Sequence, residues 1–370
     1  MKNKPTTSIV CTSLTPATVV SCGFTLGLDL GDRRHQVCVL DAGGQTVREG
    51  PLLNTRPALA RLLTDYPQAT VALEAGTHSP WISRFLQERG ATVLVANPRK
   101  LHAISRHERK SDRRDAQMLA RLARVDPALL HPIQHGSAQA QHDLLGLKLR
   151  DALVRTRVNL INTVRFTLKS LGYPVRNPSS ESFHKTVLAD IPAECLPVIQ
   201  PLLTVLAQVT AQIKGMERQL VQRSRRDYPV TQRLQQIAGV GPLTALCFVL
   251  KIGDPARFSR SRDVGAYLGL CPRRDQSGGT DKQLRISKCG DGLLRRLLVS
   301  AAHYVLGPFG PNCALRQHGQ RLTGTGSARE KKRAVVAVAR KLAVLLLSLW
   351  KYGTDYEPRA TVVTATPVGT

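Results

Sequence analysis

Phe24-Thr-Leu-Gly-Leu-Asp29 decides how the first third of this chain is read. It is a short apolar run that ends on an acid, and Thr70-Val-Ala-Leu-Glu74 repeats the pattern further on. Between them, Asp41-Ala-Gly-Gly44 is a turn joining Arg33–Leu40 to Gln45–Arg48 as a β-hairpin, and residues Arg56 to Tyr66 have helical spacing. Ser79 is placed to cap a helix that runs to Arg89 and stops at Gly90. Thr92-Val-Leu-Val-Ala96 is a third strand, closed by Asn97-Pro98, and helical segments continue through Arg124. Strands meeting helices in this order predict an α/β domain over residues 23–135.

Asp29 and Glu74 both close apolar strands, and Asp112 and Asp115 follow in Ser111-Asp-Arg-Arg-Asp-Ala-Gln. Three residues apart, the last two share a helix face. Acids gathered in a chain with 53 Lys+Arg against 26 Asp+Glu, a formal charge of +27, call for an explanation. Mg²⁺ or Mn²⁺ acting on phosphate chemistry is the readiest one. Taken singly, each has a plainer reading. Asp29 can simply end a strand, and Asp112 and Asp115 can complement a helix N-terminus capped by Ser111. Asp32 and Asp41 read as turn residues.

The charge points to a polyanion, and nucleic acid is the natural partner. An apolar fraction of 42% argues for folded cores rather than a basic disordered chain. No basic amphipathic anchor or spanning segment is apparent, so a membrane role is not expected; the run Ala343–Trp350 is too short to cross. Eight dispersed cysteines without a Cys-x-x-Cys pair fit a reducing cytoplasm better than a disulfide framework or zinc site. His131 and His135 have metal-ligand spacing but flank Pro132, so a linker is expected there. Residues 1–22 read as a disordered extension and 353–370 as a disordered tail.

Residues 136–228 read as helical. Leu147, Val154, Ile161 and Leu168 lie seven apart before a stop at Gly172-Tyr-Pro174. Leu202, Leu206, Val209, Ile213, Met216 and Leu220 give the a/d stripe of a coiled coil, within one chain or between chains. Residues 229–352 form a third region. Ile237-Ala-Gly239-Val-Gly241-Pro resembles a helix-hairpin-helix turn, in which backbone amides meet phosphate; an ordinary interhelical turn is the alternative. Ser277 stands before Gly278-Gly279 among Arg273, Arg274, Arg285 and Lys288; as composition this is a flexible loop, as chemistry a nucleophile ringed by cations. Helical Ala328–Lys351 carries Lys331, Lys332 and Arg333 at its basic end.

These blocks together resemble the DEDD transposases of bacterial insertion sequences, the one-ten type with its eleven-eleven subgroup. The likeness rests on Gly27-Leu-Asp29, Leu73-Glu74-Ala-Gly, Val95-Ala-Asn-Pro98 and Lys110-Ser-Asp112-Arg-Arg-Asp115-Ala. In the second half it rests on Gly239-Val-Gly-Pro-Leu-Thr-Ala245, Gly253-Asp-Pro-Ala-Arg-Phe258, Tyr267-Leu-Gly-Leu270, Gln276-Ser277-Gly278, Ile286-Ser-Lys288-Cys-Gly290 and Ala339-Arg-Lys-Leu342. The resemblance implies an α/β, RuvC-like domain of RNase H fold with Asp29, Glu74, Asp112 and Asp115 as a metal-binding tetrad. It implies a helical coiled-coil middle and a mostly helical transposase domain whose Ser277 forms a phosphoserine link to DNA. It also implies a homo-oligomer, a dimer or a tetramer on DNA, acting on double-stranded DNA with a structured guide RNA, a bridge RNA, that supplies the pairing. A lysine often follows the first acid in that family; here Gly31-Asp32-Arg33 stands in its place. A metal nuclease in which water attacks, a non-enzymatic DNA-binding protein and, from Leu28-Asp-Leu-Gly31, an actin-like ATPase are the alternative readings.

Overall fold

The computed structural model describes residues 23–101 and 111–358; the expected extension at 1–22 and most of the expected tail lie outside them. The chain divides after His135 into two compact units.

The first unit is a mixed α/β structure. Its elements are β1 (Thr25–Asp29), β2 (Arg34–Leu40), β3 (Thr46–Leu53), α1 (Arg56–Asp65), β4 (Thr70–Glu74), α2 (Ser79–Gln87), β5 (Thr92–Ala96), α3 (Pro98–Leu101) and α4 (Asp112–Val125). The five strands form one sheet in the order β3-β2-β1-β4-β5. β2 runs antiparallel to both neighbours, while β1, β4 and β5 are parallel. The central strands are apolar on both faces because both are covered. Leu26, Leu28, Val71 and Leu73 face Leu59, Leu62 and Ile82 of α1 and α2. On the opposite face, Ala72 and Ala96 pack with Leu119 and Ala123 of α4, and Cys38 and Leu40 with Ala116 and Ala120.

Gly27 sets how closely α4 lies on the sheet. A Cβ there would stand 1.9 Å from the Ala116 carbonyl oxygen and 2.7 Å from the Ala120 nitrogen, so helix backbone rests on strand backbone. Gly27→Ala is therefore expected to push α4 away, destabilising the unit by about 1–3 kcal/mol. Chemical denaturation measures that loss. Ser79, expected as a helix cap, is instead the first residue of α2. Its hydroxyl donates to the Gly76 carbonyl at 2.9 Å and accepts from the Gly76 amide at 3.0 Å, closing the turn after β4.

The second unit is mostly helical. It contains α5 (Ala138–Ser170), α6 (Phe183–Thr186), α7 (Leu196–Asp227), α8 (Val230–Leu234), α9 (Pro242–Ile252) and α10 (Val264–Tyr267). A hairpin of β6 (Pro272–Ser277) and β7 (Thr280–Ile286) follows, then α11 (Gly292–Leu306), α12 (Ala314–Arg321) and α13 (Ala328–Tyr352). Helices α9, α11 and α13 share the largest core, which includes Phe248, Leu298, Val338 and Leu342. Ser327 and Glu330 form a capping box at the start of α13.

Helices α5 and α7 pack against each other within the chain, so the heptad stripe is used internally. The buried seats on α7 are Ile199, Leu203, Leu206, Thr210, Ile213, Leu220 and Ser224. Leu206, Ile213 and Leu220 are as expected, but Leu202, Val209 and Met216 are only half-buried and the intervening seats fall one residue later. The pairing is antiparallel: Asp143 meets Arg223 at 2.7 Å, Gly146 lies against Leu220, and Arg150 Nε donates to Glu217 at 2.9 Å. Helix α7 alone among the described residues is long and apolar enough to span a bilayer, yet its stripe is committed to α5 and the core it shares with Phe183 and Val187.

Asp143 is 1% exposed and accepts from Arg223, Gln139 and Tyr228. Burial alone would raise its pKa, but the bonds from Tyr228 and Gln139 and the Arg223 charge outweigh burial and lower it. Its stabilising effect is thus fully present above the ordinary carboxylate range, about 4, and lost as pH falls through the depressed value. Asp143→Ala, which strands the Arg223 charge, is expected to cost about 3 kcal/mol at neutral pH and to flatten the acid limb of the stability profile. Urea titrations from neutral to acid pH, read by helical circular dichroism, check both.

Candidate functional site

β1 and β4 are parallel neighbours paired through Leu28 and Leu73, so the next residues, Asp29 and Glu74, stand side by side at the carboxyl end of the sheet. Side chains alternate along a strand. Gly27 and Ala72 lie under α4, so two residues on, Asp29 and Glu74 belong to that same face.

Helix α4 runs against these strands. At its end, Arg124 donates to the Asp41 and Ala42 carbonyls in the β2–β3 turn, beside the start of β1. Its first turn, with Asp112 and Asp115, therefore lies toward the end of β1 where Asp29 is. Ala116 rests on Gly27. One helical turn back to Asp112 is about 6 Å, and two strand residues forward to Asp29 is about 6.6 Å. The same step from Leu119 over Ala72 brings Asp115 abreast of Glu74. The four acids thus share one edge and one face by register. Their side chains are not closed into a ligand set: among the described residues, no three His, Cys, Asp or Glu form a group able to hold an ion. As donors they suit a hard divalent cation, being carboxylates on rigid elements. Ser111 caps α4 by accepting from the Arg114 amide, and Arg113 is paired with Glu49, so the flanking polar groups have structural tasks.

Asp32 stands apart from this set. Its Oδ1 lies 2.9 Å from His78 Nε2, while the Trp81 indole N–H donates to His78 Nδ1 at 3.4 Å. An indole nitrogen can only donate, so Nδ1 accepts and Nε2 carries the proton given to Asp32. Asn54 Nδ2 also donates to the Gly31 and Asp32 carbonyls. The loop after β1 is pinned by groups that periodicity could not have revealed. His135 accompanies Ser79 at 2.9 Å, a structural contact rather than a metal-ligand arrangement.

In the second unit, Ser277 ends β6 and pairs with Thr280 across the two-residue turn Gly278-Gly279. Gly278 has φ +53°, the positive value that a tight hairpin turn needs at its first central residue. The stretch expected as a flexible loop is thus a defined hairpin, with Ser277 exposed at its tip. Among the described residues no carboxylate or imidazole is hydrogen-bonded to its hydroxyl. Arg274 is tied to Asp281 across the strands, which holds its guanidinium in the hairpin. Arg273, Arg285 and Lys288 are exposed.

Gly239 has an internal reason to be glycine: at φ +85°, an added Cβ would stand 2.8 Å from the Ala301 carbonyl of α11. Gly241 opens α9 and faces open space. Lys331, Lys332 and Arg333 are exposed on the first turns of α13, while Ala334, Val335 and Val338 enter the core. Sequence reasoning missed Arg295, which lay in a crowd of cations. Its Nη1 bonds the Leu268 carbonyl at 3.0 Å and the Cys289 carbonyl at the foot of the hairpin.

The first unit thus carries four acids along one edge of its sheet, and the second carries an exposed serine hairpin and exposed cations on α13. Residues 26–172 match the DEDD transposase model of the IS110 group, described as a transposase, and residues 231–314 match the transposase IS116/IS110/IS902 family. The chain is 30% identical over 341 residues to the transposase for insertion sequence element IS1111A of Coxiella burnetii, covering 88% of each chain. It is 31% identical over 287 residues to the transposase for IS1328 of Yersinia enterocolitica, covering 75% of this chain and 82% of that one. Over 343 residues it is 29% identical to a probable family 20 transposase of Pseudomonas aeruginosa, covering 90% of this chain and 98% of the relative. The chain belongs to the IS110 family of transposases, enzymes that cleave and rejoin DNA. Its DEDD domain implies dependence on a divalent metal.

Proposed function

We propose that this transposase moves its element by strand exchange through a phosphoserine intermediate on Ser277, with Asp29, Glu74, Asp112 and Asp115 as the residues that hold Mg²⁺ or Mn²⁺. Residues 23–135 act as the RuvC-like metal domain, 136–228 as the helical spacer and 229–352 as the serine domain. The observation that carries this reading is the register of α4 over Gly27 and Ala72, which assigns all four acids to one edge and one face. When bound, the ion supplies charge neutralisation and orientation at the scissile phosphate. The acids themselves sit on strands and a packed helix, so their backbone positions are fixed before DNA arrives.

At the serine, the Oγ gives up its proton and bonds to phosphorus while the deoxyribose oxygen of the cut strand leaves and takes a proton. Attack on that phosphoserine by a deoxyribose hydroxyl of the new strand restores a phosphodiester and frees the serine. One phosphate ester is exchanged for another, so rejoining needs no nucleotide hydrolysis. Arg273, Arg285 and Lys288 lie toward the base of the hairpin rather than around its tip, so they bind phosphates that flank the cut, and Arg274 shapes the hairpin. The α13 cations Lys331, Lys332 and Arg333, with the amides at Gly239 and Gly241, contact DNA phosphates without reading bases.

With no base-reading element in view among the described residues, specificity falls to a structured guide RNA that pairs with donor and target. The active form is a homo-oligomer, a dimer or a tetramer on DNA, in the bacterial cytoplasm at the nucleoid. The test is a nicked DNA substrate that traps the intermediate, followed by proteolysis and mass spectrometry. A nucleotide attached to the Ser277 peptide is expected. Cut DNA with no protein attached rejects the serine step and leaves hydrolysis by water. A discrete RNA that copurifies, and whose removal abolishes target choice, is expected for the guide.

A further inference from the structure

The hairpin that carries Ser277 has almost no anchorage of its own. All six residues of β6 are exposed, and of β7 only Ile286 is partly covered among those with described side chains. A two-stranded hairpin without a buried face is marginal in water. Where Ser277 stands is therefore decided at the foot. Cys271 is six residues from Ser277, and a strand of that length reaches about 20 Å. A tilt of about 5° at the base moves the tip by about 2 Å, and a misplacement of about 1 Å is enough to cost about 100-fold in rate.

The foot is built from two backbone segments pressed together. Ser287 donates to the Cys271 carbonyl at 2.9 Å and Lys288 to the Gly269 carbonyl at 3.1 Å. Gly269 and Gly290 take φ +67° and +70°; a Cβ on the first would meet the Cys289 nitrogen at 2.1 Å, and one on the second the Tyr267 carbonyl oxygen at 2.3 Å. Into this junction comes Arg295 from the second turn of α11. Its Nη1 donates to the Leu268 carbonyl on the entering leg at 3.0 Å and to the Cys289 carbonyl on the leaving leg, with the Gly290 carbonyl at 3.5 Å. Helix α11 is itself fixed in the core by Leu294, Leu298, Ala301, Ala302 and Val305.

We infer that Arg295 is a positioning residue for Ser277: one guanidinium fastens both legs of the serine hairpin to the core helix α11. This inference rests on the serine reading above. Arg295 reaches neither the tip nor the turn; it acts by fixing the base from which the tip projects. All three contacts come from the one nitrogen, Nη1, so the fastening is lost only when the side chain has no donor; methionine, of similar length and without an N–H, removes it.

The experiment compares wild type, Arg295→Met and Gly290→Ala, using the full chain and the nicked DNA. Three quantities are read: amide exchange at Ser287 and Lys288, DNA affinity, and the rate of adduct formation at saturating DNA. Arg295→Met is expected to speed exchange at those two amides at least tenfold, to leave DNA affinity within about twofold, and to slow adduct formation about 100-fold. Gly290→Ala, which forces the same junction apart without touching a charge, should reproduce this signature. Unchanged exchange, or faster exchange with an unchanged adduct rate, overturns the inference. A loss of DNA affinity equal to the loss of rate overturns it in favour of a phosphate contact. Absence of a Ser277 adduct in wild type overturns the serine reading instead, and the exchange at Ser287 and Lys288 still decides whether Arg295 fastens the hairpin.

Discussion

Ser277→Ala is expected to remove protein-linked DNA entirely and to lower strand cleavage by about 10⁴-fold or more, the scale on which loss of a nucleophile acts. The substitution deletes one exposed hydroxyl at the tip of a hairpin that contributes little to the core, so thermal stability and DNA affinity should match wild type. That combination separates chemistry from folding. A denaturing gel of the nicked substrate, run beside a binding isotherm, reads both. Full cleavage by Ser277→Ala would sink the covalent route and assign the attack to water. Ser277→Cys offers a second reading: a thiol in the same place attacks poorly but can still be trapped, so a weak adduct is expected.

If Asp29 and Glu74 hold the metal as proposed, Asp29→Asn and Glu74→Gln are each expected to depress cleavage about 10³-fold, because a neutral amide then replaces a carboxylate ligand and charge stabilisation of several kcal/mol is at stake. Both residues close strands whose preceding side chains are buried, Leu28 and Leu73, so fold and DNA binding should persist. Manganese binding to the protein without DNA, followed by calorimetry, gives an independent readout: each substitution should weaken it. Normal manganese binding in both variants would remove these acids from the metal site. Asp32→Asn provides the contrast, since Asp32 is occupied with His78, and only a small change is expected there.

The edge that bears the acids was legible in the sequence because it is local. Apolar runs ending on Asp29 and Glu74, and a Ser-capped segment bearing Asp112 and Asp115, announce themselves by alternation and by helical spacing. What joins them was not legible. The register of α4 depends on Gly27 meeting Ala116, a contact between residues far apart in the chain that only the folded unit displays. The serine hairpin escaped for the opposite reason. Strand patterns are recognised by a buried face, and β6 has none. At two of the three displaced seats of the coil stripe the seam itself is polar, Thr210 and Glu217, beside the apolar but only half-buried Val209 and Met216; at the third, Leu203 is buried next to an equally apolar Leu202, which pattern alone does not separate. Ser79 shows the same limit on a smaller scale: a hydroxyl able to cap a helix is equally able to close the turn before it.

The antiparallel pairing of α5 with α7 has a mechanical consequence. Two helices of 33 and 32 residues make a rod about 50 Å long. Sliding one along the other by a heptad would carry Asp143 away from Arg223 and Arg150 from Glu217, leaving charges facing hydrocarbon. The pair is therefore a ruler with its graduations locked, and the two ends of the rod within this unit keep a set span.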